Sequence, residues 1–234
     1  MENSGYEDVR KKIADFINKK NNSNFTENNI VMTCGAAGGL NIILKTLLNP
    51  EDEVIVIAPF FGEYQNYVNN FDGKLVIVQS NKETFQPDIE ALEKGITPKT
   101  KAIIINTPNN PTGVIYSEES LTKMAEVLKK KEKEYGTSIY LISDEPYKEI
   151  AYDGAEVPFL LNYHKNSFIG YSYSKSLSLP GERIGYVVAN SEMDDYEEII
   201  QSLNVANRIL GFVNAPSLFQ RVIGRILGAE VDVN

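Results

Sequence analysis

Val9, Ile13, Phe16 and Ile17 recur at helical spacing, so residues 6–20 read as an amphipathic helix. Beyond them, short apolar runs alternate with helical patterns. "NIVMTCG", "DEVIVIA" (52–58), "KLVIV" (74–78) and "TKAIIIN" (100–106) read as strands. "AAGGLNIILKTLL" and the stretches around 62–70 and 88–95 read as helices. "SEESLTKMAEVLKKKEKEYG" carries its own end signals: Ser117 as N-cap, two acids in the first turn, lysines in the last, and Gly136 as the stop. Three more strands are expected at "SIYLISDE" (138–145), "SFIGYSYS" (167–174) and "IGYVVAN" (184–190), with helices over 192–207 and after Pro216. Strands this apolar read as buried on both faces. Their alternation with helices predicts an α/β domain with a mostly parallel sheet, in one domain.

Composition narrows the function. The chain has 234 residues, enough to bury a substantial core, and a formal charge of −9 that disfavours a general nucleic-acid binder. Cys34 is the only cysteine, so no intrachain disulfide is possible, which fits a reducing cytoplasm. His164 is the only histidine, which argues against Ser-His-Asp triads and His-rich metal sites. The polar start "MENSGYEDVRKK" has no signal-peptide core and no apolar run reaches membrane-spanning length, so a cytoplasmic, membrane-free protein is expected. The lysines at 129–133 read as a solvated helix end.

In parallel α/β sheets ligands sit beyond the carboxyl ends of the strands. Four motifs fall there. "TCGAAGGL" (33–40) would present backbone N–H groups at a helix start, where an anion fits, or it would simply let a helix pack closely on the sheet. It is neither a Walker A loop nor GxGxxG. "NNPTG" (109–113) is a turn by composition whose Asn110 amide offers a donor to a ring oxygen. Asp144 ends an apolar strand, where a carboxylate is costly without a cation or donors; a protonated pyridine nitrogen, an N-cap or an ion pair would each meet that need. In "GYSYSKSLSLPGERIGY" (170–186), Lys175 is either an exposed charge or a buried amine ready to attack a carbonyl. Arg183 is either an ion-pair partner or a fork for phosphate, brought back toward Lys175 by the turn at Pro180 and Gly181.

Taken in order along the chain, these motifs resemble the class I/II aminotransferases, the fold type I enzymes that use pyridoxal 5′-phosphate (PLP). The family's Asn-Pro-Thr-Gly is here "NNPTG", its Asp-x-x-Tyr is "DEPY", and its Ser-x-Ser-Lys with Gly-x-Arg-x-Gly is "SYSKSLSLPGERIG". The small-residue turn lies upstream, and "PFF" (59–61) falls where the family stacks a ring on its cofactor. The resemblance implies a three-layer α/β/α large domain with a mostly parallel sheet. It implies that Lys175 forms a Schiff base with PLP and later moves the substrate Cα proton, which requires a lowered pKa. Asp144 would pair with the pyridine nitrogen, Tyr147 and Asn110 with the phenolic oxygen, and Phe61 would stack on the ring. Gly35, Ala36 and Ala37 would give backbone N–H groups to the phosphate, joined by Ser172, Ser174 and Arg183. Substrates would be an L-amino acid and a 2-oxo acid, in a homodimeric enzyme.

The resemblance covers residues 1–234 as a large cofactor domain. The family's amino-terminal arm, the tyrosine upstream of "NSGYEDVR" that reaches a neighbour's phosphate, and the small domain with its carboxylate-binding arginine have no counterpart before Met1 or in the closing "GAEVDVN". A fragment with weak transaminase activity and exposed apolar surface is therefore expected. Two other readings stay open: a PLP-dependent C–S β-lyase of the same fold, and a catalytically crippled PLP-binding or oligomerising module. Absent Walker and dinucleotide signatures leave a nucleotide-binding domain more distant. Aspartate and aromatic amino acids are substrates at the family level only.

Overall fold

A computed structural model describes residues 2–229. The expectations drawn from Met1 and the closing residues 230–234 lie outside the described residues.

The chain begins with helix α1 (Glu7–Asn21), whose Val9, Ile13 and Ile17 are buried as their spacing requires. Strand β1 (Ile30–Thr33) follows and runs straight into helix α2 (Gly35–Leu47). Next come β2 (Glu53–Ala58), α3 (Glu63–Asn69), β3 (Lys74–Gln79), α4 (Ile89–Gly95) and β4 (Thr100–Asn106). Helix α5 (Glu118–Tyr135) leads to β5 (Tyr140–Asp144), and β6 (Ser167–Ser172) to a single helical turn, α6 (Tyr173–Ser176). Strand β7 (Gly185–Ala189) and helices α7 (Tyr196–Ile209) and α8 (Ser217–Ile226) complete the order.

Among the described residues seven strands form one sheet in the order β1-β7-β6-β5-β4-β2-β3. β2, β3, β4, β5 and β6 pair in parallel, and β7 is antiparallel to both β6 and β1. Because β7 alone is reversed, β1 points the same way as the parallel strands. Its carboxyl end therefore reaches the same edge of the sheet as those of β4, β5 and β6.

Alternation along the strands divides the core in two. Ile55, Ile57, Ile103 and Ile105 face one layer with Leu92, Leu121, Met124 and Leu128 from α4 and α5, beside α1 and α8. Val54, Val56, Ala102 and Ile104 face the other, with Leu40 and Leu44 of α2, Tyr64 of α3 and Leu203 of α7. This is the expected three-layer α/β/α architecture.

Helix α5 has the predicted ends: Ser117 Oγ accepts from Ser120 N at 3.1 Å, and Gly136 takes a left-handed φ of 67°. Other expectations are corrected. β3 lies at the sheet edge and leaves Ile77 51% exposed, so it is not buried on both faces. The helix expected from 192 starts at Tyr196. Asn166 Oδ1 accepts from Asp194 N at 2.9 Å, and Asp194 binds Lys165 Nζ at 2.5 Å, which holds the preceding residues in a turn. The strand expected through residue 174 ends at Ser172, which caps the next turn by accepting from Ser174 N at 3.1 Å. That early ending places Lys175 on a helical turn.

Candidate active site

Most of the predicted residues line one cavity of about 390 Å³ at the carboxyl end of the sheet. Ala36 and Ala37 enter from the start of α2, Asn110 from beyond β4, and Asp144 and Tyr147 from the end of β5. Ser172, Ser174 and Lys175 enter from the end of β6 and the turn after it, Phe61 from the segment before α3, and Arg183 from the loop before β7.

One end of the cavity is an anion cradle. Gly35 opens α2 with φ +74°, and a Cβ there would lie 2.9 Å from Arg183 Nη2. Glycine is thus required twice, by the left-handed backbone and by the guanidinium lying against it. Arg183 itself has φ +51° and donates from Nη1 to Pro180 O at 2.8 Å. No carboxylate pairs with it among the described ion pairs, so the Pro180–Gly181 turn directs a cation over the N-terminus of a thirteen-residue helix. The hydroxyls of Ser172 and Ser174 meet at 2.6 Å beside it. Gly185 lets β7 approach: a Cβ there would lie 2.2 Å from Tyr171 O and 3.0 Å from Gly35 Cα.

At the floor stands Asp144, 6% exposed. Its Oδ2 accepts from Tyr64 Oη at 2.8 Å, whereas its Oδ1 is buried with no hydrogen-bond partner. Burial above all, with the nearby Glu145 carboxylate adding to it, pushes its pKa up to about 7 against the opposing Tyr64 hydrogen bond. A carboxylate in that state is stabilised by any cationic N–H donor that reaches Oδ1.

Between floor and cradle, Asn110 Nδ2 donates to Tyr147 Oη at 3.2 Å. The "NNPTG" turn is also a closed turn in its own right. Thr112 N and Oγ1 both donate to Asn109 Oδ1, at 3.1 and 2.9 Å, as the turn reading of the motif expects. Lys175 is exposed, and its Nζ lies 5.8 Å from the centre of the Tyr147 ring.

Tyr64, Tyr67 and Asn106 are the site residues the sequence reading missed. Asn106 ends β4, accepts from Asn110 N at 2.5 Å and donates to Asp144 O at 2.7 Å, so it ties the two motifs together. Its place at a strand's carboxyl end was the available signal. Tyr64, in the first turn of α3, lies three residues after Phe61, and the two rings meet edge to face at 5.6 Å. Among the described residues no group of three or more His, Cys, Asp or Glu is placed to hold a metal ion, and no helix is long and apolar enough to cross a membrane.

The chain is similar to several known aminotransferases. A probable N-acetyl-LL-diaminopimelate aminotransferase of Bacillus subtilis is 31% identical over 205 residues, covering 87% of this chain and 51% of its own. A probable aspartate/prephenate aminotransferase of Aquifex aeolicus is 36% identical, covering 86% and 50%. The crystal structure of an amino transferase from Eubacterium rectale superposes with a TM-score of 0.98 at 47% identity, over 100% of this chain and 59% of that one. The chain thus spans about half the length of the curated relatives it matches. The model of the family "Aminotransferase class I and II" matches residues 1–234, and the chain belongs to that family.

Proposed function

We propose that this chain is the cofactor-binding part of a PLP-dependent aminotransferase that moves the amino group of an L-amino acid to a 2-oxo acid. The observation that carries the reading is Asp144, which lines the cavity with Lys175 and whose buried Oδ1 has no hydrogen-bond partner. The donor set fits PLP at each of its polar groups. Gly35, Ala36 and Ala37 N–H groups, the Ser172 and Ser174 hydroxyls and Arg183 would hold the phosphate. Asp144 would take the ring nitrogen, Tyr147 and Asn110 the phenolic oxygen, Phe61 the ring face, and Lys175 the aldehyde.

PLP, when bound, supplies an electron sink that acidifies the substrate Cα–H. The protein's own part is positional and acid–base. Lys175 Nζ moves the proton at the substrate Cα, which needs the neutral amine. Asp144, as a carboxylate, would favour the protonated form of the ring nitrogen. Asn110 and Tyr147 act as a coupled donor pair. The cradle contributes affinity and fixes orientation, since phosphate takes no part in the chemistry.

The family's amino acid and 2-oxo acid substrates and a homodimeric enzyme belong to the same proposal, as does the assignment of residues 1–234 to a large domain. The test is incubation with PLP, a panel of amino acids and 2-oxoglutarate. Keto acid formed in step with glutamate supports the reading. Ammonia released without amino transfer would replace it with a lyase, and failure of the folded chain to bind PLP would overturn it.

A further inference from the structure

Tyr64 is 1% exposed, in the middle of the packing between α3 and the sheet. A phenylalanine would fill the same space with no polar atom to satisfy. The hydroxyl does have a partner, Asp144 Oδ2 at 2.8 Å, and the ring is braced by Phe61 and by Tyr67 at 6.5 Å. Asp144 is also held through its backbone, where its carbonyl accepts from Asn106. That leaves the rotation of the carboxyl group to be fixed, and Tyr64 is the described group that fixes it.

We propose that Tyr64 is a positioning residue for Asp144: its hydroxyl occupies Oδ2, leaves Oδ1 unpartnered and holds the carboxylate ready for a cationic N–H donor. This rests on the PLP reading for the identity of that donor, the protonated ring nitrogen. The hydrogen bond is charge-assisted only while Asp144 is ionised, so it favours the ionised form. Burial and Glu145 oppose it. The other ionisable groups around Asp144 are Tyr67 from α3, Tyr147 beyond β5, and Lys175 and Arg183, which line the same cavity. Of these described groups, Tyr64 is the one that donates a hydrogen bond to the carboxylate.

The experiment is a cycle of Tyr64→Phe, Asp144→Asn and the double variant. The Asp144 carboxyl is titrated by carbon NMR in the cofactor-free chain, and PLP affinity is measured by absorbance at pH 7.5. Tyr64→Phe should move the titration midpoint to higher pH and weaken PLP about tenfold, the loss of one charge-assisted hydrogen bond. In the Asp144→Asn background the same substitution should cost almost nothing. A merely structural tyrosine would leave the midpoint in place, or weaken PLP equally in both backgrounds, and either result overturns the proposal. Circular dichroism of each variant separates misfolding from these outcomes. If the unmodified chain binds no PLP while the midpoint still moves, the PLP reading fails and the Tyr64–Asp144 coupling stands.

Discussion

Asp144 is held at a cost that depends on pH. Its carboxyl titrates at about 7 in the fold, against about 4 in an unfolded chain. A raised folded pKa contributes stability that is fully present below pH ~4 and lost as pH rises through about 7. Asp144→Asn should therefore stabilise the cofactor-free chain at pH 8 by on the order of a few kcal/mol and leave it little changed at pH 4. Urea unfolding at the two pH values checks this; an equal effect at both would mean the carboxylate is not strained by burial. The same variant should bind PLP more weakly, so stability and cofactor binding move in opposite directions. Arg183 acts differently. Arg183→Leu removes a charge-assisted fork contributing about 1.5–3 kcal/mol, which is roughly a ten- to hundredfold rise in the PLP dissociation constant. Pyridoxal, lacking phosphate, should be indifferent; equal losses for both ligands would make Arg183 structural. Lys175, Asp144 and Arg183 were legible in sequence through the order of their motifs along the chain, since each alone also had a bland explanation. Tyr64 was not, since a tyrosine in a helical apolar pattern looks like core, and its hydroxyl's partner lies eighty residues away.

At the scale of elements, the site depends on how closely β7 and α2 approach. Gly185 sits where a Cβ would meet the backbone oxygen of Tyr171, an atom that cannot swing aside. Gly185→Ala should destabilise the chain by about 1–3 kcal/mol or more, through overpacking against β6. It should weaken PLP as well, because Gly35 lies on the other side of the same contact. Thermal melts with and without PLP test this, and a neutral substitution would show that β7 has room to shift. Strands such as β4 and β5, built on the apolar runs 102–105 and 140–142, announced themselves in the sequence. The edge position of β3 did not, because strand order is set by pairing between distant segments. Nor did the late start of α7. There the side chains of Asn166 and Asp194 bind across the fold and override a helical pattern that the local sequence supports.

For the whole molecule, the sheet brings motifs spread over some 150 residues to one cavity, and the same topology leaves apolar surface outside it. Val205 and Ile209 stand one turn apart on α7, 57% and 61% exposed, and Leu218 at the start of α8 is 69% exposed. Under the proposed homodimer these side chains meet a second copy. Ile209→Glu with Leu218→Glu should then shift sedimentation toward monomer without changing the circular dichroism, whereas an unmodified chain that is monomeric throughout would remove that assignment. The central claim is that the fold assembles a PLP site around one lysine, and borohydride trapping tests it most directly. The chain is incubated with PLP, reduced, digested and mapped by mass spectrometry. The account predicts a pyridoxyl phosphate adduct on Lys175, and none in Lys175→Arg, which keeps the charge but cannot join the aldehyde. An adduct confined to other lysines, or no adduct in a folded sample, would contradict it.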